Sequence, residues 1–172
     1  MRRIYLIIIA LMISFASFSQ QYDTDFTQTR HLKVSGKTTH KAGHLVFDGK
    51  DQLSMIYSEP EGEYFIVEGS KVKMNLNGKK AELDADKVKL VKLQRATLLN
   101  CIAGNWEQAA LDNNAETTIE EAEGFRHVFI KPKGKVPRGG YNSVDLTYRI
   151  KDGLLVKMIL EEALGVINTY EM

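Results

Sequence analysis

Residues 45–78 read LVFDGKDQLSMIYSEPEGEYFIVEGSKVKMNLNG, and the period of this stretch decides the fold. Leu45-Val46-Phe47 runs into Asp48-Gly49. Leu53, Met55 and Tyr57 alternate with Gln52, Ser54 and Ser58 until Pro60 and Gly62 break the run. Tyr64-Phe65-Ile66-Val67 stops at Glu68-Gly69, and Val72, Met74 and Leu76 alternate with Lys71, Lys73 and Asn75 before Asn77-Gly78. Alternation with period two marks half-buried strands, and Asn-Gly is a strong hairpin signal. Turns this short leave no room for crossover helices, so the stretch predicts an antiparallel meander.

The same reading extends in both directions. Upstream, strands run from Thr24 onward, and Gly43 with its flanking strands predicts a hairpin around His40 and His44. Downstream, between Asp84 and Asn105, Val88, Val91, Leu98, Leu99 and Ile102 change the period, and no Pro or Gly intervenes before Gly104. Asp84 or Asp86 serves as an N-cap and Gly104 as a stop, with a helix over 94–103, a strand-like lead-in, and Trp106 packing back on it. The chain then returns to strands at Thr117–Ala122, Phe125–Lys131, Val144–Ile150, Leu154–Leu160 and Val166–Tyr170. A loop bearing Lys131, Lys133, Lys135 and Arg138 reads as solvated. The fold expected is α+β: one long, curved antiparallel sheet with one or two helices on a face.

Residues 1–19 have the three zones of a secretory signal peptide: Arg2-Arg3, an apolar run Ile4–Ile13, then small residues Ser14, Ala16, Ser17 and Ser19. The apolar run is shorter than the roughly 20 residues a spanning helix needs, which favours cleavage over an anchor. A single domain over 20–172 is expected, soluble and periplasmic. No Cys follows the apolar run, so no lipid modification is expected there. Loss of Arg2 and Arg3 leaves 21 basic residues against 22 acidic, a net charge of −1. That balance argues against nucleic acid or an anionic membrane held by bulk electrostatics. Cys101 is the one cysteine, so no internal disulfide can form, and its apolar surroundings make it a small core residue.

The candidate chemistry is not catalytic. His31, His40, His44 and His127 read as solvated strand residues without a third metal ligand nearby. No nucleophile elbow or phosphate loop frames the Ser, Asp, His and Gly residues present, and no cofactor is expected. The surplus is apolar. Phe47, Met55, Tyr57, Phe65 and Met74 lie on neighbouring strands, and Tyr64–Val67 is apolar on both faces. Two readings stay open: ordinary core, the usual fate of large apolar side chains, or an open concavity that takes a hydrophobic ligand.

Residues 26–69 carry an ordered series that resembles the periplasmic outer-membrane lipoprotein carrier family (LolA-like). Phe26-Thr27-Gln28 is similar to that family's Phe-x-Gln, and Gly43-His44-Leu45-Val46-Phe47 to its Gly-x-Leu-x-Phe strand. Tyr57-Ser58-Glu59-Pro60 resembles its strand ending in an aromatic, two residues and Pro, and Phe65–Gly69 its strand closing on an acidic residue and Gly. The resemblance implies an incomplete β-barrel with helices as a lid. It implies an apolar cavity lined by Leu45, Phe47, Leu53, Met55, Tyr57, Phe65, Val67 and Met74, with Leu98 and Ile102 from the lid.

Such a protein carries the acyl chains of a lipoprotein, or of a related lipid amphiphile, across the periplasm toward the outer membrane. Its partners are the cargo and membrane-bound donor and acceptor proteins; it is a monomer and not an enzyme. Each buried methylene is worth about 0.8 kcal/mol, which is enough to hold a chain without chemistry. Two departures stand out. Gly49-Lys50 occupies the place of the family's Arg-Pro, whose arginine helps hold the lid closed, and only about six residues separate the expected cleavage point from Phe26, where relatives have a long helix. A rival reading makes the curved sheet a protein-docking surface; an uncharacterised hydrolase is a third.

Overall fold

The computed structural model describes residues 20–172; the expected signal peptide lies outside the described residues. Eleven strands form one sheet: β1 Tyr22–Leu32, β2 Thr38–Phe47, β3 Gln52–Glu59, β4 Tyr64–Glu68, β5 Lys71–Leu76, β6 Lys79–Asp84, β7 Ala115–Ala122, β8 Phe125–Pro132, β9 Tyr141–Arg149, β10 Leu155–Glu162 and β11 Val166–Glu171. Every pairing is antiparallel, in the order β6-β5-β4-β3-β2-β1-β11-β10-β9-β8-β7. The sheet is thus two meanders zipped together where β1 meets β11, with β6 and β7 as free edges. It does not close. The connection from β6 to β7 carries a single 3-10 turn (Ala85–Lys87) and two helices, α1 Lys89–Ile102 and α2 Trp106–Asp112, as the α+β reading predicts.

Local chemistry explains the turns. Asn77 and Gly78 both have positive φ (53° and 73°), the backbone that a two-residue hairpin needs and that few other residue pairs adopt. Asp48 Oδ1 accepts the backbone N–H groups of Lys50, Asp51 and Gln52 at 2.8–3.1 Å, which folds β2 back onto β3. Leu45, Phe47, Leu53 and Val67 fill one half of the interior and Val128, Ile130, Leu146 and Leu155 the other, all nearly inaccessible. Leu99, Cys101 and Ile102 of α1 and Ala109 and Ala110 of α2 plug the space between them. The Tyr148 hydroxyl donates to the Cys101 carbonyl at 2.7 Å, a second partner for a helix C-terminal carbonyl that also accepts the Gly104 N–H at 3.3 Å.

Three sequence expectations change. Gly43 is not a turn: it sits inside β2 at a bulge against β3, between Ala42 and Gly43. Helix α1 starts at Lys89 rather than 94, preceded by Val88 in extended geometry and without a side-chain cap. Asp84 caps the 3-10 turn instead, accepting the Asp86 N–H at 3.1 Å. Trp106 does pack on the core, but it also opens α2, a helix too short for its period to show. Gly104, at φ +81°, ends α1 as expected.

Candidate functional site

Between the inner face of the sheet and α1 lies a cavity of about 250 Å³. Period-two alternation builds its walls, because inward positions on β3, β4, β5 and β6 bring Met55, Tyr57, Phe65, Met74, Leu76 and Leu83 to one side. Val91 and Leu98 descend from α1 to cover them. Five of the ten sequence-derived cavity residues therefore line it: Met55, Tyr57, Phe65, Met74 and Leu98. The other five, Leu45, Phe47, Leu53, Val67 and Ile102, are packed solid in the adjoining core, at 0–2% exposure. The same face thus carries both filled core and an open cavity.

Sequence reasoning missed the opposite wall, which is polar. Gln28 of β1, Asn168 and Tyr170 of β11, Glu162 of β10, Tyr141 of β9 and Arg30 of β1 line it. A hydrogen-bond chain joins four of them, Gln28, Asn168, Tyr170 and Glu162, to Tyr57. The Tyr57 hydroxyl donates to Gln28 Oε1 at 2.9 Å. Gln28 Nε2 donates to Asn168 Oδ1 at 3.2 Å and to the Tyr170 hydroxyl at 3.1 Å. Asn168 Nδ2 in turn donates to Glu162 Oε1 at 2.9 Å. Buried amides keep such a chain only when their donors and acceptors are matched. Gln28 and Asn168, at 8% and 7% exposure, meet that demand.

Burial keeps the phenols around the cavity neutral. Burial, with help from nearby Glu162, pushes the Tyr170 phenol up to about 12. Burial likewise raises the Tyr57 and Tyr141 phenols well above their ordinary range. Among the described residues, neither Arg30 nor Arg95, the two cations of the lining, lies within ion-pair distance of a carboxylate. Nearby Lys41 is already engaged with Glu63, both side chains being about nine-tenths buried.

The helix that roofs the cavity is fastened by two of its own adjacent side chains. Arg95 Nη1 donates to the Gly69 carbonyl in the β4–β5 turn at 2.6 Å, and Gln94 Nε2 donates to the Gly139 carbonyl in the β8–β9 loop. These carbonyls belong to opposite halves of the sheet. An arginine thus ties the roof although position 49–50 is Gly-Lys; it is borne by the helix itself. The basic loop around Lys133 and Lys135 is exposed, yet its Gly139 end takes part in this fastening.

No family model and no curated protein matches the chain. Solved structures do resemble it. A LolA superfamily protein from Nitrosomonas europaea is 11% identical, over 89% of this chain and 84% of its own, with a TM-score of 0.39. A DUF1329 family protein from Desulfovibrio piger is 12% identical, over 88% of this chain and 83% of its own, with a TM-score of 0.40. MucB in the Pseudomonas aeruginosa MucA/MucB complex is 11% identical, over 90% of this chain and 51% of its own, with a TM-score of 0.45. One of the three thus carries the superfamily name that residues 26–69 resemble. At such scores the functional reading stands on the cavity's own residues.

Proposed function

We propose that the protein is a carrier that shelters an acyl chain of a lipoprotein, or of a related lipid amphiphile, during its passage through the periplasm toward the outer membrane. The observation that carries this reading is the roofed cavity, apolar along β3–β6 and α1, in a fold whose remaining core is tightly filled. Burial of hydrocarbon supplies affinity at about 0.8 kcal/mol per methylene. Release then requires only that the roof lift and a membrane acceptor offer a better apolar surface, with no bond broken. Membrane-bound donor and acceptor proteins are its proposed partners, and it works as a monomer without a cofactor. Among the described residues no helix is long and apolar enough to cross a membrane.

The test is direct. Purified protein is extracted and its lipid identified by mass spectrometry, and binding of a fluorescent fatty-acyl probe is titrated in parallel. Co-purifying lipid or lipoprotein and saturable probe binding that Met55→Glu or Phe65→Glu abolishes are expected. Absence of both lipid and probe binding overturns the carrier reading.

A further inference from the structure

The cavity has two chemically different ends, and the strand register separates them. Met55, Phe65 and Met74 face one another across β3, β4 and β5, and Arg95 is anchored beyond them at the β4–β5 turn. Arg30 lies at the other end. It pairs with Thr39 on one side and Asn168 on the other, beyond Ala42↔Glu59, the last β2–β3 pair. Arg30 shares this end with Gln28, Asn168, Tyr170, Tyr141 and Glu162.

We propose that the ligand is a single-chain amphiphile with a carboxylate head, its chain lying among Met55, Phe65, Met74 and Leu98 and its head at Arg30. This rests on the acyl-carrier reading above and narrows it to a ligand class. Three observations carry it. The first is charge. Among the described residues Arg30 faces inward on β1 with no carboxylate within ion-pair distance, whereas Lys41, the other inward cation at this end, is committed to Glu63. Glu162, the one carboxylate among the described lining residues, is turned to Asn168 but keeps its charge, so the head is placed on the Arg30 side, away from it. The second is donor count. A carboxylate offers about four acceptor sites and meets a guanidinium two bonds at a time. The Tyr141 and Tyr170 hydroxyls stay protonated and can donate to the same head. The third is size. A void of about 250 Å³ exceeds the ~150 Å³ that suffices for benzene yet falls short of the ~300–1,000 Å³ of drug-sized sites, so it takes one chain and not several.

The experiment compares dodecanoate, dodecanol and dodecylammonium on the purified protein by calorimetry, with wild type and Arg30→Met side by side. Dodecanoate is expected to bind at least about tenfold more tightly than dodecanol, with dodecylammonium weakest. Arg30→Met is expected to abolish the preference for the acid while leaving dodecanol affinity within about twofold. Equal affinity for acid and alcohol, or a preference for the ammonium, overturns the carboxylate head and leaves the carrier reading intact. Equal weakening of acid and alcohol by Arg30→Met makes Arg30 merely structural and also overturns the proposal. Failure of all three ligands to bind overturns the carrier reading itself.

Discussion

His44 stands between two aspartates on the outer face of β1 and β2, its Nδ1 2.8 Å from Asp25 and its Nε2 2.7 Å from Asp23. The Asp25 bond first, then the Asp23 bond, raises the imidazole above its ordinary 6.5. Because the folded value is the higher one, the stabilisation is fully present below pH 6.5 and fades as pH rises through the folded value. Titration by NMR should show the raised value in the wild type and a return toward 6.5 in Asp25→Asn; an unchanged midpoint in the variant would sink the account. The other three histidines each sit beside a threonine across the strand pair, His31 at Thr38, His40 at Thr29 and His127 at Thr147. At this scale the sequence was readable where a side chain's fate depends on its own strand. Met55, Tyr57 and Phe65 announce an inward face by alternation alone. Arg30 and Asn168 do not, because what brings them together at the cavity is a pairing far along the chain.

Elements are defined as much by their irregularities as by their period. Gly43 is held so close to β3 that an added Cβ would stand 2.3 Å from the Ile56 carbonyl oxygen and 2.9 Å from the Tyr57 Cα. Gly43→Ala must therefore push β2 and β3 apart at the bulge, at a cost of about 1–3 kcal/mol by analogy with overpacking. Urea denaturation measures it, and an unchanged midpoint would show that the bulge yields freely. The second element-scale feature is the Lys41–Glu63 pair. Glu63 also accepts the Asn77 N–H at 2.7 Å, so it locks the β5–β6 turn to the start of β4. Lys41→Met strands a buried carboxylate and should cost about 3–5 kcal/mol, while Lys41→Met with Glu63→Gln should recover part of it. Equal losses in the single and double variants would show the pair to be solvated. Helix α1 was harder to read. Val88, Leu90 and Leu93 blur the helical period, and the helix begins without a capping side chain, so its first turn carries no local signal. Its packing over the sheet decides its start.

For the whole molecule the question is how the roof stays on. Gln94 and Arg95 tie α1 to carbonyls of the two sheet halves, so Arg95→Met should loosen the helix without loosening the strands. Hydrogen exchange is the measurement: faster exchange over 89–102, with β3–β5 protected as before, is expected, and uniform change across the protein would show that Arg95 acts on global stability instead. The general architecture was legible from turns and alternation, since almost every strand pairs with its sequence neighbour. The cavity's polar wall was not, since its members come from β1, β9, β10 and β11.

The exception to neighbour pairing is the seam between β1 and β11. Gln28 and Tyr170 meet across it from 142 positions apart. Each meander can zip locally and quickly, whereas the seam must close a loop spanning nearly the entire chain, a slow kind of event. A chain synthesised from its N-terminus exposes β1 long before β11 emerges to meet it. During that interval β1 offers a bare hydrogen-bonding edge to any extended neighbour, a second emerging copy included. Assembly of this protein is thus exposed to strand exchange between copies until β11 arrives, and the six residues of that strand act as the fastener of the entire shell.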